Sequence, residues 1–384
     1  MLHPLIEHSD DLKRLRADGY VVSVKHDYLV VDHIPFVTEQ SDVVYGSLVS
    51  ELTVQGNRTL RPNGHVVAST HLPHDYAGNR LTYLILDESH SIVGEYATVC
   101  QFSNTPGKEP DDYYEKVKHY IDLIVPHAQA IDCSVTAKVN NPIDSSNDDV
   151  FRYIDSNTSR SDTGMYAAKL AHQKISIVGL GGSGSYILDL VAKTPVREIH
   201  IFDDDDFSNH NAFRSPGAAS LEELDEGLSK VDYAFSRYDK MHSRITPHNV
   251  RVTAENIEDL YLSDFVFLSI DDSESRSIIS HLLVERHIPF VDIGITVEAG
   301  QLGLTGVSRV TLVHPDNAEV ALKSLPTGNS SDTLYSSNIQ VADVNMLNAA
   351  QAVMAWKRWS GFYFTASYAH ELITFVDSGM STIL

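Results

Sequence analysis

The second half of the chain alternates short apolar runs with longer segments whose apolar positions follow a helical period. The apolar runs are rich in Val, Ile and Phe, which is typical of strands buried on both faces of a parallel sheet. This alternation predicts an α/β fold over residues 158–384, with a doubly wound, Rossmann-like, mostly parallel sheet. The predicted strands are Lys174–Val178, Arg197–Phe202, Val250–Glu255, Phe265–Ile270 and Phe290–Ile293.

The first half of the chain shows a different pattern. β-Branched runs lie around turn signals, and one long amphipathic helix is predicted over Asp111–Val125. We therefore expect residues 1–148 to form a separate N-terminal α+β domain. The polar, proline-containing segment Asn140–Asp149 is the predicted linker to the domain at 158–384.

A glycine-rich turn joins the first strand of the predicted sheet to the helix that follows it. Such a turn points unpaired backbone N–H groups at a ligand from a helix N-terminus and favours phosphate. Asp203, at the end of the next strand, completes the dinucleotide fingerprint G-x-G-x-x-G with a distant acid. The sequence therefore predicts a nucleotide site whose turn contains Gly179, Gly181, Gly182, Gly184 and Ser185.

Three polar features beyond that strand suggest which chemistry the nucleotide site performs. Arg214, with Asn211 beside it, would hold triphosphate oxygens in a bidentate fork, unless both belong to an ordinary polar loop. Lys230 lies in the next helical segment and is either a phosphate contact or a surface lysine. Asp272, at the carboxyl end of the fourth strand, would bind Mg²⁺, cap the following helix, or do both.

Composition narrows the function classes. The net charge of −23 argues against nucleic-acid binding through the general surface. The two cysteines, Cys100 and Cys133, exclude a four-cysteine zinc site, so no zinc is expected. The first 18 residues are charged, and no apolar run is long enough to span a membrane. We expect a cytoplasmic protein without a membrane span.

The stretch 174–293 resembles the ThiF/MoeB/ubiquitin-activating (E1-like) family, which adenylates the C-terminal carboxylate of small ubiquitin-fold proteins. The resemblance rests on the turn G-L-G-G-S-G-S, the acid Asp203, N-A-F-R at 211–214, Lys230 and D-D-S at 271–273. It implies ATP and Mg²⁺ as cofactors, with Asp203 on the ribose and Asp272 on the metal. It also implies triphosphate contacts from Asn211, Arg214 and Lys230. The acidic run at 203–206, which includes Asp205, is expected to face the ribose or a cation.

The resemblance also implies partners. Members of the family usually dimerise, and an arginine upstream of the glycine turn reaches the partner's phosphates; Arg160 is the candidate, with Arg152 behind it. The sequences of these motifs resemble more closely a bacterial branch of the family. Members of that branch occur together with ubiquitin-like proteins and with relatives of conjugating enzymes. We therefore expect a small ubiquitin-like substrate with a Gly-ended tail, and residues 1–148 as a partner-recognition domain.

One family feature is missing. Many members carry a catalytic cysteine in the crossover loop, but this chain has no cysteine beyond Cys133. Three routes for the acyl group stay open: the adenylate passes directly to a partner such as a conjugating-enzyme-like acceptor, Ser336 or Ser337 of the loop takes it as an oxyester, or Cys100 or Cys133 accepts it. Sulfur transfer and protein conjugation begin with the same adenylate.

Two other functions remain as alternatives. An NAD-dependent oxidoreductase explains the glycines and Asp203 but gives no role to Arg214, Lys230 or Asp272. A non-catalytic adaptor for a ubiquitin-like protein explains the N-terminal domain but not the retained triphosphate contacts. Outside the motifs, His65, His71 and His74 match no metal-ligand spacing, and we expect surface histidines.

Overall fold

The computed structural model describes residues 4–88, 90–93, 96–105, 107–139, 150–153, 155, 157–158, 163–325, 339–365 and 369–384. The chain divides into two compact units, Met1–Met165 and Tyr166–Leu384, which are called the first and second unit below. No helix in the described ranges is both long and apolar enough to cross a membrane.

The first unit is an antiparallel sheet with helices at both ends of its sequence. Its helices are α1 (Pro4–His8), α2 (Asp10–Ala17) and α3 (Tyr113–Ile131). Its strands are, in chain order, β1 (Val21–Lys25), β2 (Tyr28–Val37), β3 (Val43–Glu51), β4 (Val54–Gln55), β5 (Arg58–Thr59), β6 (Val67–Ser69), β7 (Ile85–Asp87), β8 (Ser91–Val93), β9 (Tyr96–Thr98) and β10 (Cys100–Phe102). Six of them form one sheet in the order β1-β2-β3-β6-β10-β7, while β4–β5 and β8–β9 form separate hairpins.

Helix α3 supplies one wall of the first unit's core. The Asp112 side chain caps it by accepting a hydrogen bond from the Glu115 N–H, which satisfies one of the free donors of the first turn. The apolar face predicted from the sequence is buried, with Val117, Tyr120 and Ile124 almost without solvent exposure. This face packs in one cluster with the inward side chains of the large sheet.

The second unit is built on an eight-stranded sheet. Its strands are β11 (Lys174–Val178), β12 (Glu198–Phe202), β13 (Ile245–His248), β14 (Phe265–Leu268), β15 (Phe290–Ala299), β16 (Leu304–Val313), β17 (Glu371–Phe375) and β18 (Ser381–Ile383). Around the sheet lie a 3₁₀ turn at Ile257–Leu260 and the helices α5 (Gly182–Val191), α6 (Asn209–Ala212), α7 (Leu221–Asp225), α8 (Lys230–Tyr238), α9 (Ser273–Glu285), α10 (Ala318–Ser324) and α11 (Ala342–Trp359). The short helix α4 (Gly164–Ala167) precedes them.

The sheet order is β13-β12-β11-β14-β15-β16-β17-β18. The first five strands in this order are parallel, and β16, β17 and β18 continue the sheet antiparallel. The predicted α/β class, with a doubly wound, mostly parallel sheet, is therefore confirmed, and the predicted N-terminal α+β part is an antiparallel sheet with helices. The order turns back at β11, so the carboxyl ends of β11 and β14 flank the crevice where ligands of such sheets bind.

One predicted strand is wrong. The sequence pattern indicated Val250–Glu255, whereas the strand beside β12 is β13, at Ile245–His248. β13 contains Pro247, which cannot donate to a ladder, and proline in a run normally argues against a strand. It is tolerated here because β13 is the edge of the sheet and pairs on one side with β12.

Candidate functional site

The glycine turn between β11 and α5 is sterically fixed. Gly179 has a φ of 89°, and a Cβ there would lie 2.4 Å from the Ser269 carbonyl oxygen. A Cβ on Gly184 would lie 1.9 Å from the Gly179 carbonyl oxygen. The turn therefore packs closely against the end of β14 and against its own helix, and other residues would force it apart.

Helix α5 begins directly above this turn. Its N-cap is Gly181, which has no side chain, so no side-chain cap occupies the first N–H groups of the helix. A cavity of about 310 Å³ opens at this point, where the carboxyl ends of β11, β12 and β14 meet. A helix N-terminus that faces a cavity provides donors and partial positive charge for an anion.

Most of the predicted site residues line the cavity. Those on its wall are Gly179, Gly181, Gly182, Asp203, Asp205, Arg214, Lys230 and Asp272. Of the predicted residues that the structure describes, Gly184, Ser185 and Asn211 do not line it. Arg160, Ser336 and Ser337 lie outside the described residues, and Arg152 is an exposed residue of the first unit.

The acidic residues that directly follow β12, called the tip of β12 below, contact the glycine turn and Lys230. One oxygen of the nearly buried Asp203 carboxylate accepts the Leu180 N–H at 2.6 Å, and the other accepts the Asp205 N–H at 3.0 Å. The Lys230 ammonium lies 3.2 Å from Asp203 Oδ1 and 2.5 Å from Asp205 Oδ2. The hydrogen bond from Lys230 is the main reason why the pKa of Asp205 is lowered. Lys230 therefore offsets part of the negative charge of Asp203 and Asp205, in addition to facing the cavity.

The N-A-F-R segment combines a structural residue with a cavity residue. Asn211 is buried, and its side-chain oxygen accepts the Ser208 N–H at 3.0 Å in the capping box of α6. The Asn211 carbonyl in turn accepts the Arg214 N–H at 3.0 Å, which positions Arg214 at the cavity. Arg214 Nε is buried and has no hydrogen-bond partner among the described residues. An anion in the cavity would satisfy this donor.

Asp272 caps a helix and also lies at the cavity, and its predicted role as a Mg²⁺ ligand stays a prediction. It is the N-cap of α9, where its Oδ2 accepts the Ser275 N–H at 3.0 Å, and it also lines the cavity. Hydrogen bonding with Ser275, with a smaller contribution from the charge of Arg251, lowers the pKa of Asp272. The carboxylate is therefore ionised at neutral pH.

The sequence reasoning missed a buried ion network on the opposite wall. The fully buried Asp292 lies 3.2 Å from Arg276 Nε through one oxygen and 2.5 Å from an Arg309 nitrogen through the other. Both arginines line the cavity. Two signals were available: Arg276 is one helical turn beyond Asp272, and Asp292 interrupts an apolar strand.

Helix α11 contributes two asparagines that were also missed. Asn345 and Asn348 are fully buried and line the cavity. Asn345 accepts a hydrogen bond from the Ser183 hydroxyl at 3.2 Å, and a Cβ on Gly182 would clash with its amide. Two asparagines three residues apart, on a helix whose other buried residues are apolar, indicate a polar site, and this spacing could have revealed them.

Comparison with family models gives two matches. Residues 10–156 match a domain of unknown function (DUF6791), and residues 158–373 match the ThiF family. Comparison with curated proteins gives no match.

Several solved structures resemble the chain. Escherichia coli MccB with MccA-N7isoASN is 16% identical over 60% of this chain and 72% of that chain, with a TM-score of 0.45. Escherichia coli MccB with ATP is 17% identical over 60% and 71%, with a TM-score of 0.44. SeMet PaaA is 15% identical over 78% and 98%, with a TM-score of 0.48. Because the ThiF match alone covers more than half of the sequence, the chain belongs to the ThiF family of E1-like, ATP-binding adenylating enzymes.

Proposed function

We propose that the protein uses ATP and Mg²⁺ to adenylate the C-terminal carboxylate of a small ubiquitin-like protein. The observation that carries this proposal is Arg214, whose buried Nε lacks a partner among the described residues and which shares one cavity with the glycine turn and Asp272. An NAD-dependent oxidoreductase holds its pyrophosphate at the glycine turn and the helix N-terminus and gives Arg214 no distinct role. An adenylating enzyme needs this cation for the triphosphate.

The cavity offers complementary ends for ATP. Asp203 and Asp205 form an acidic end that suits ribose hydroxyls, and Lys230 offsets part of their charge. The N-terminus of α5 and the Arg214 guanidinium form a cationic end that suits phosphate oxygens. The nucleotide would thus lie with its sugar at the tip of β12 and its phosphates toward α5.

Asp272 fits Mg²⁺. It is ionised, lines the cavity and stands at the carboxyl end of a parallel strand. Mg²⁺ is commonly held by one or two carboxylates together with substrate phosphates and water, so a single protein carboxylate is a sufficient donor. When bound, the ion would neutralise charge on the phosphates.

The chain's residues would act mainly by position and charge. A substrate carboxylate is ionised at neutral pH and attacks the α-phosphorus without a general base. The bond between the α-phosphorus and its bridging oxygen breaks, and pyrophosphate leaves with the electron pair. Arg214 would hold the departing phosphates, and the donors at α5 would hold the nucleotide in line. A tail that reaches this point is expected to be extended and to end in glycine.

Pyrophosphate exchange into ATP tests the proposal. We expect Mg²⁺-dependent exchange in the presence of a small Gly-ended protein and none with the same protein lacking its terminal residues. Arg214→Ala and Asp272→Ala should each lower the rate by roughly 100-fold or more, because each removes a charge that acts on the transferred group.

Matched controls use residues away from the cavity wall. Arg286→Ala, whose guanidinium lies over the Tyr261 ring, and the exposed Asp316→Ala should retain exchange. Undiminished exchange in Arg214→Ala would contradict the proposed site. NADH binding without any exchange would favour an oxidoreductase. The predicted homodimer, its Arg160 or Arg152 contact and the conjugating-enzyme-like acceptor stay predictions.

A further inference from the structure

Three side chains of the first unit form a chain of hydrogen bonds in which a histidine stands between a serine and a glutamate. His65 Nε2 lies 2.8 Å from Ser103 Oγ. His65 Nδ1 lies 3.0 Å from Glu109 Oε1. Ser103 directly follows β10, His65 precedes β6, and Glu109 lies on the segment that leads to α3.

This order of contacts is the one that activates a serine. A carboxylate on Nδ1 holds the proton on that nitrogen and leaves Nε2 to accept the hydroxyl proton. Both distances lie in the range of 2.6–3.2 Å, roughly, that defines a nucleophile–base pair with an orienting acid. A surface histidine with a single partner would not show this arrangement.

Buried contacts hold the three residues in place. The Tyr120 hydroxyl donates to the His65 carbonyl at 2.9 Å and accepts the Asn104 N–H at 3.0 Å, so one buried ring fixes the backbone at His65 and at the residue after Ser103. The Ser103 N–H donates to the Leu84 carbonyl at 2.9 Å. Arg61 donates to the Glu109 carbonyl at 3.3 Å, which fixes the third segment.

The group is also accessible. The side chain of His65 is 25% exposed and that of Glu109 is 49% exposed, so a reactant can approach from solvent. A buried polar network built only for stability would not be expected to leave its base open. The arrangement combines fixed backbones with an open face, which is what a nucleophilic site requires.

We propose that Ser103 is an acyl acceptor, with His65 as its general base and Glu109 as the residue that positions His65. Ser103 Oγ attacks the carbonyl carbon of an activated acyl group, and its proton passes to His65 Nε2. The bond between the carbonyl carbon and the leaving oxygen then breaks, leaving an ester on Ser103. His65 returns the proton to solvent.

The donor would be an acyl adenylate, and this part rests on the adenylation proposed above. AMP then leaves with the electron pair of the broken bond. Ser103 would thus supply a non-cysteine acceptor in a chain that has no cysteine beyond Cys133. The nucleophilicity of Ser103 does not depend on the nucleotide site, so the two proposals can fail separately.

A fluorophosphonate probe applied to the full chain without ATP tests the nucleophile. We expect one adduct, mapped by peptide mass spectrometry to Ser103, which is lost in Ser103→Ala. His65→Gln should slow labelling by roughly 100-fold or more. Glu109→Gln should slow it less and move the midpoint of its pH–rate profile, which loss of a merely structural contact would not do. p-Nitrophenyl acetate should give a burst of nitrophenol that Ser103→Ala abolishes.

The controls separate this site from general reactivity and from adenylation. Ser134 is exposed and bonds to the Asp132 carboxylate instead of a histidine, so Ser134→Ala should label like the wild type. Arg214→Ala should also label normally. Ser103→Cys keeps a nucleophile in place, and its thiol should react with iodoacetamide faster than the exposed Cys133 of the same chain. The proposal is overturned by any of three results: an adduct on another serine, no adduct at all, or labelling of His65→Gln at the wild-type rate.

Discussion

In the second unit, one buried carboxylate beside the cavity contacts two cations, whereas in the first unit two buried charged side chains carry pKa values displaced by desolvation. Asp292 lies between Arg276 and Arg309. In the first unit, Asp27 is buried, and Lys116 is buried on the core-facing side of α3.

The difference shows in the pKa values. Burial raises the pKa of Asp27 to about 7, and it lowers the pKa of Lys116 to about 8. Both shifts mean that the neutral form is favoured in the folded state. Charge in the second unit is therefore a structural component of its site, while charge at these two positions of the first unit opposes folding. Removing a charge should consequently have opposite effects in the two units.

The largest effect is expected from Asp292→Ala. This change leaves two buried guanidinium groups without their shared carboxylate, and breaking a buried ion pair costs about 3 to 5 kcal/mol. We expect urea denaturation of the full chain to show the second unit destabilised by that amount. Asp316→Ala, whose side chain is 96% exposed, should change stability by less than about 0.5 kcal/mol. If Asp292→Ala lost no more stability than Asp316→Ala, this result would show that water already solvates the two arginines.

Asp27→Asn should have a smaller effect of the opposite sign. The pKa of Asp27 is about 7 in the folded protein against an ordinary value of 3.8, so the folded state binds more protons between these values. Wild-type stability should therefore fall as the pH rises from about 4 to 7 and stay low above 7. At pH 8 the asparagine should stabilise the first unit by roughly 2 kcal/mol. Removing the charge contributes about 1.4 kcal/mol for each unit by which the pKa is raised, and the desolvation of the buried amide offsets part of this gain.

The comparison of pH values is the check on this prediction. Measured by thermal denaturation, the advantage of Asp27→Asn at pH 8 should shrink toward zero at pH 5, where the wild-type carboxyl is protonated. An advantage that does not change with pH would mean that Asp27 is not the titrating group.

The smallest effect is expected from Lys116→Met. Methionine keeps the length of the side chain and removes the charge, so we expect a gain of about 1 kcal/mol at pH 7. Because the folded-state pKa of about 8 lies below the ordinary value of 10.5, wild-type stability should rise between pH 8 and 10.5. The gain from methionine should disappear over the same range. Equal gains at pH 7 and pH 10 would contradict this account.

The parts of the fold that depend on local pattern were predictable from the sequence. The turn at Gly179, the strand on either side of it and the helical face of α3 each follow from residues that are close in the chain. β13 was misplaced because Pro247 argues against a strand unless its position at the sheet edge is known. The edge position is a property of the whole sheet, and no local pattern contains it.

The residues of the candidate site that belong to a local sequence motif were predictable. Asp203 and Asp272 were placed at the cavity because strand ends converge there. Asn211 was assigned to phosphate, although the sequence alone cannot distinguish a capping side chain from a ligand contact. His65 was expected to be a surface residue, because its partners Ser103 and Glu109 are 38 and 44 positions away. Contacts over such separations come from tertiary packing.

The crowding of the glycine turn bears on how tolerance to mutation should be read. Gly179 and Gly184 have no room for a Cβ, whereas nothing lies within 4 Å of a Cβ built on Gly181. In a library of single variants, selection for abundance alone should therefore deplete substitutions at Gly179 and Gly184 but spare Gly181→Ala. A depletion at Gly181 that appears only under selection for activity would mark the position where the turn meets its ligand.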